Sequence, residues 1–160
     1  MESSQAAAVL QAFEYGKGEV LARIDGLGDD EFLWEPVDGC WTIRPVDGRY
    51  VADFVAMADP PPFTTIAWRL WHIGPDCLDS YARRAFGRPG PRPESEFVGT
   101  ASEAVADLER ALDNFVAGFV ALGDGVWAPL GPEFGPFAEA SYVDLLLHAH
   151  REVVHHGAEI

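Results

Sequence analysis

Apolar residues recur at helical spacing in four long stretches of the chain. In the first, residues 4–24, Val9, Leu10, Phe13, Val20, Leu21 and Ile24 follow a 3.6-residue period. Gly16 and Gly18 weaken its middle. The second, residues 64–86, follows the breaker Pro60-Pro61-Pro62, and Thr64 or Thr65 offers an N-cap. The third, residues 102–122, sets Val105, Leu108, Leu112, Phe115, Val116 and Phe119 behind Ser102, which reads as its cap. The fourth starts behind Ser141 and is expected to run toward residue 160.

The first connection contains EFLWEPVDGCWTIRPVDGRYVADF. At roughly 35 residues it is long for a structureless link in a compact domain. Its Trp34, Trp41, Ile43 and Tyr50, with Asp-Gly at 38–39 and 47–48, predict an ordered excursion or short hairpin packed on the helices. The second connection, GRPGPRPESEFVG, is proline-rich and reads as exposed; the third, GDGVWAPLGPEFGPFAEA, carries aromatics. Four helices and one long crossover predict an all-α four-helix bundle, with residues 1–160 as a single domain.

Composition narrows the functions available. The formal net charge of −15 repels a phosphate backbone, so no nucleic-acid partner is expected. No apolar run approaches the ~20 residues that span a bilayer, so no membrane partner is expected. The N-terminus lacks the basic n-region of a secretory signal, and a cytoplasmic location is expected. Cys40 and Cys77 are too few for a disulfide framework and too far apart for a CxxC site, and read as isolated buried thiols. One lysine, Lys17, against ten arginines is the bias of a GC-rich genome.

The chemistry concentrates at the C-terminus. Four of five histidines lie in His148-Ala-His150-Arg-Glu152-Val-Val-His155-His156, and the fifth, His72, lies in the second helix. A step of four returns to nearly the same helix face, offset by roughly 40°. His148, Glu152 and His156 therefore form one polar stripe. Two helices that bring His and Glu together supply the donors of a divalent-metal site. His148 and His156 are separated by a rise of roughly 12 Å, too far to share one ion. Glu152 is the pivot, and Glu152/His156, His148/Glu152 and Glu152/His155 are the candidate pairs, with His72 completing a three-donor set. Such a set leaves a position open for water or substrate. No second Glu-x-x-His accompanies Glu152-x-x-His155, which excludes a di-iron carboxylate bundle. His150 lies off the stripe and is expected at solvent or an interface, and His155 beside the stripe.

Trp68 and Asp76 flank His72 by four residues and share its face, so Trp68 is a candidate pocket wall and Asp76 a candidate partner for the imidazole. Pro75 cannot donate to the Trp71 carbonyl, and a kink is expected beside His72. Five α-helical steps place Cys77 roughly 140° around from His72, so Cys77 is expected to face away and to form no Cys-His nucleophile.

The segments TTIAWRLWHIG (64–74), LLLHAHREVVHHGAEI (145–160) and LWEPVDGCWTIRP (33–45) resemble the DinB-like (DinB/YfiT) superfamily of metal-dependent enzymes. The resemblance covers nearly the whole chain. It implies a four-helix bundle, often a homodimer, that holds zinc or nickel through one histidine of the second helix and an H-x-x-x-H pair of the last. Matched position by position, these are His72, Glu152 and His156. Glu152 departs from the commoner histidine, and a carboxylate is a sound donor in its place. His148 is then a neighbouring partner or an alternative donor, and with Trp68 and Asp76 it borders the site. The resemblance further implies a small-molecule substrate and an S-transferase that uses a low-molecular-weight thiol, of which the arginine-rich composition favours mycothiol. The alternatives are a non-catalytic metal-binding or stress-response protein, and a zinc-dependent hydrolase.

Overall fold

The first periodic stretch folds as helix α1, Glu2–Arg23, in a computed structural model that describes residues 2–55 and 58–160. The two mid-helix glycines do not break it. Gly16 is instead where α1 meets the last helix: a Cβ there would stand 2.8 Å from Val154 Cγ2. Gly157 makes the reciprocal contact, its Cβ position 2.3 Å from Val20 Cγ2. Small residues on both helices let the backbones approach.

A short helix α2, Asp29–Phe32, follows. The crossover then forms an antiparallel hairpin, β1 Ile43–Val46 and β2 Arg49–Ala52, with Ile43 opposite Ala52 and Val46 opposite Arg49. Asp47 and Gly48 both take positive φ (50° and 77°), as a two-residue hairpin turn requires. Of the two Asp-Gly pairs, 47–48 makes the turn of this hairpin. A third strand, β3 Glu96–Phe97, pairs with β2. The fold is therefore mostly helical with a small three-stranded sheet rather than all-α. The proline-rich connection is only partly exposed, because Phe97 within it is buried.

The second periodic stretch is continuous from Ile66 to Phe86 but changes pitch twice. Helix α3, Ile66–Trp71, is capped by Thr65, whose side chain accepts from Trp68 N. His72–Asp79 is π-helical, and α4, Ser80–Phe86, resumes the α pitch. Pro75 lacks the N–H that would reach Trp71, and the chain answers with wider turns rather than a plain kink. Hydrogen bonds tie this segment to the crossover: Thr65 Oγ1 donates to Thr42 Oγ1 (2.9 Å) and Trp68 Nε1 to the Asp53 carbonyl (2.7 Å).

Helix α5, Ala101–Ala121, is capped by Thr100, two residues earlier than Ser102. The third connection winds through two short 3₁₀ stretches, Gly123–Trp127 and Pro132–Phe137. Helix α6, Tyr142–Gly157, starts at Ser141 in a reciprocal box: Ser141 Oγ accepts from Asp144 N (3.2 Å), and Asp144 Oδ2 accepts from Ser141 N (2.8 Å). All the long helices feed one apolar core that includes Phe13, Leu70, Leu108, Phe115 and Leu146.

Two acids lie inside this structure. Asp79 and Asp107 are 5% and 6% exposed. Arg110 grips Asp79 in bidentate fashion (3.0 and 2.6 Å) and reaches Asp107 at 3.1 Å, while Arg92 meets Asp107 at 2.6 Å. The network pins the π-helical segment and the proline-rich connection to α5.

Candidate metal centre

The stripe on α6 faces the π-helical segment. Glu152, only 12% exposed in its side chain, turns its two oxygens to different neighbours. Oε2 stands 3.2 Å from His156 Nε2 and 3.7 Å from His72 Nε2. Oε1 accepts from Arg151 Nη2 at 2.5 Å and lies 3.8 Å from His148 Nε2. An Arg151 ion pair and a role facing the histidines are thus not exclusive, since each takes its own oxygen. Burial alone would raise the Glu152 carboxyl, but the Arg151 hydrogen bond and the charges of His148, Arg151 and His156 hold it below the usual carboxylate range.

Each converging imidazole has a carboxylate behind it. His72 Nδ1 donates to Asp76 Oδ2 at 2.8 Å, which leaves its Nε2 lone pair pointing toward Glu152. His156 Nδ1 lies 2.8 Å from Glu159 Oε2 and 3.0 Å from Arg69 Nη1. A guanidinium only donates and a carboxylate only accepts. His156 therefore has two states at hand. With Nδ1–H directed to Glu159, Nε2 is free to act as a donor atom; with Nδ1 accepting from Arg69, Nε2–H is directed to Glu152. Burial pushes the His156 imidazole below its ordinary value, against the pull of Glu159.

His148 differs. Its Nδ1 faces the donor-only Arg151 Nη2 at 3.1 Å, so its proton sits on Nε2, against the Tyr81 hydroxyl at 2.9 Å. The Nε2 lone pair needed for ligation is then spent, and His148 stands beside Glu152 Oε1 rather than among the Oε2 partners. Burial also lowers its pKa.

The remaining expectations meet mixed outcomes. Trp68 is buried and stacks on the His72 ring (5.0 Å between centroids, 16° apart), with Trp41 behind it at 5.7 Å. Trp34, in the crossover, is 65% exposed. His155 is exposed. His150 is half-buried against α1: its ring lies 6.4 Å from Phe13, and its buried Nδ1 has no hydrogen-bond partner among the described residues. Cys77 overturns its expectation outright, with Sγ 3.9 Å from His72 Nε2. The 140° offset assumed α pitch. In a π-helix, hydrogen bonds run i→i+5, so residue 77 returns about one turn above residue 72. The missing nucleophile still follows from burial, which pushes the Cys77 thiol up to about 12.

Sequence reasoning passed over Arg69, Tyr81 and Glu159. Glu159 carried a readable signal, three residues past His156; Arg69 and Tyr81 join the site only through packing between helices.

The donor chemistry suits a divalent cation. His72 Nε2 and Glu152 Oε2 are both acceptors and face each other at 3.7 Å. Donors held at about 2.0–2.3 Å around one tetrahedral ion stand about 3.3–3.8 Å apart. Among the described residues, His72, Cys77 and Glu152 each offer a donor atom within 4.8 Å of the others.

Beside the centre lies a cavity of about 420 Å³ bordered by the apolar Leu130, Phe134, Phe137 and Leu145 and by Tyr81, Arg84, Asp144 and His148. No helix among the described residues is long and apolar enough to cross a membrane.

A mostly helical chain with imidazoles and a carboxylate converging between a π-distorted helix and the last helix has the layout of a helical metal-binding domain. Residues 12–160 match the DinB superfamily, and the chain belongs to it. Comparisons with curated proteins and with solved structures find no match.

Proposed function

We propose that the chain binds one divalent cation, zinc or nickel, through His72 Nε2, Glu152 Oε2 and His156 Nε2, and that the centre serves a thiol-dependent S-transferase. The observation that carries the reading is convergence: two imidazole nitrogens approach one carboxylate oxygen, and each imidazole is backed at Nδ1 by a further carboxylate. Carboxylate–histidine pairs of this kind fix the tautomer and raise the basicity of metal-binding histidines. A bound cation would lower the pKa of a small thiol and hold it as the nucleophilic thiolate.

The chain's own residues would do the rest. Asp76 keeps Nδ1 protonated on His72, and Glu159 does the same for His156 in the state that frees its Nε2. Trp68 stacks on His72 and keeps water from one side. The apolar side of the cavity, formed by Leu130, Phe134, Phe137 and Leu145, suits an uncharged or aromatic portion of a small-molecule electrophile, with Arg84 and Asp144 on its polar side. Neutral His148 lies between cavity and Glu152, placed to exchange a proton with a bound group. Mycothiol is the favoured thiol, on composition. We also take the four long helical segments as the superfamily's four-helix bundle, and propose a cytoplasmic homodimer.

The buried thiol of Cys77 beside His72 favours a second reading, a closed, non-catalytic metal site. Metal analysis of the purified chain tests the first step: about one divalent ion per chain is expected. Calorimetric titration with mycothiol, bacillithiol and glutathione tests the second. Saturable binding of a thiol to the metal-loaded chain alone supports the transferase, and no binding of any of the three removes it.

A further inference from the structure

Cys77 is buried at 4% exposure, yet it is not packed as a mere filler. Its Sγ lies 3.9 Å from His72 Nε2, and its sulfur, His72 and a Glu152 oxygen form one cluster of donor atoms. The π-helical pitch of His72–Asp79 is what brings it there; with α pitch the thiol would turn away from the centre. Cys40 provides the contrast. It is equally buried, but its neighbour is Glu35 Oε2 at 3.7 Å, remote from the histidines in the sequence and outside any donor cluster of the described residues.

The groups around the cluster extend the pattern. Asp76 stands behind His72, Glu159 behind His156 and Arg151 behind Glu152. Tyr81, four residues on from Cys77, faces His148 Nε2 at 2.9 Å through its hydroxyl. His72, Glu152 and His156 thus each have an oriented polar partner, the arrangement metal centres use to fix their ligands.

We propose that Cys77 is the fourth protein donor of the centre, giving a set of two imidazole nitrogens, one carboxylate oxygen and one thiolate. This rests on the metal reading above and adds a residue to it. As the metal–sulfur bond forms, the Cys77 proton leaves to solvent. A soft thiolate among the donors selects zinc or a similar ion over magnesium or calcium. Cys77 then holds the position a small thiol would take, and the thiol enters by exchange, its proton passing to the departing Cys77 sulfur.

Cobalt(II) loaded into the full chain, with no thiol added, tests the proposal. A sulfur-to-cobalt charge-transfer band in the near ultraviolet is expected at one equivalent. It is lost in Cys77→Ser, which binds cobalt more weakly, and kept in Cys40→Ser. X-ray absorption at the zinc edge gives an answer that needs no variant: one sulfur at about 2.3 Å is expected. One equivalent of cobalt without the band, or zinc without the sulfur, overturns the role of Cys77 and leaves the three-donor centre standing. A chain that binds no cobalt and no zinc overturns the centre itself and this proposal with it.

Discussion

Asp76 Oδ2 accepts the Nδ1 proton of His72 at 2.8 Å. The two residues are four apart inside the π-helical segment, and the contact decides which imidazole nitrogen faces Glu152. Without Asp76, His72 could carry its proton on Nε2 and present N–H rather than a lone pair.

Replacing Asp76 with Ala is therefore expected to weaken metal binding by about 10- to 100-fold without unfolding the chain. His72→Ala and His156→Ala should lose the ion altogether. Competition titration against a chelator of known affinity measures both effects. Metal retained at full stoichiometry in His156→Ala would remove that residue from the donor set.

Glu152 tests the register. Glu152→His keeps a donor at the pivot and should retain metal, while Glu152→Ala should weaken it strongly. His148→Ala should matter less, because Arg151 occupies its Nδ1 and Tyr81 its Nε2 side. If His148→Ala proves the more damaging change, the pair on the last helix is His148/Glu152.

Arg110→Ala leaves Asp79 buried without its bidentate partner, whereas Asp107 keeps Arg92. Breaking a buried ion pair from one side costs about 3–5 kcal/mol, and the lower end is expected here because Arg110 is about one-third exposed. Urea denaturation should show a lower midpoint with an unchanged slope.

Ser141→Ala removes the first cap of α6 and should cost about 1 kcal/mol near neutral pH. The effect depends on pH. Hydrogen bonds from Ser141 hold the Asp144 carboxyl below its ordinary value in the folded chain. A group with a depressed folded-state pKa stabilises above its unfolded value, near 3.9, and that contribution fades as pH falls through the folded value. The gap in melting temperature between wild type and Ser141→Ala should therefore narrow as pH falls below about 4, while the part due to Ser141 Oγ accepting from Asp144 N remains. A constant gap down to pH 2 would show that the bond from Ser141 Oγ to Asp144 adds nothing to the cap.

The sequence by itself determined most of what depends on near neighbours. Ser141 and Thr65 act as the caps their positions suggest, because a cap is settled within three or four residues. Asp47-Gly48 makes its hairpin turn because both residues tolerate positive φ. The stripe of His148, Glu152 and His156 survives because α6 keeps α pitch across it. Tertiary structure decided the rest. Whether His148 or His156 joins His72 turned on Arg151, Tyr81, Arg69 and Glu159, which reach the imidazoles from different directions. The third strand needed Glu96–Phe97 to meet β2 across 44 or more residues of chain. Asp79 and Asp107 are buried because Arg110 and Arg92, distant in sequence or on other turns, close over them. Cys77 shows the reason most directly. Its side depends on whether the hydrogen bonds of one helix run i→i+4 or i→i+5, and Pro75 removes the local preference for the first. The segment also packs against α5 and α6, contacts that no local reading of Pro75 contains.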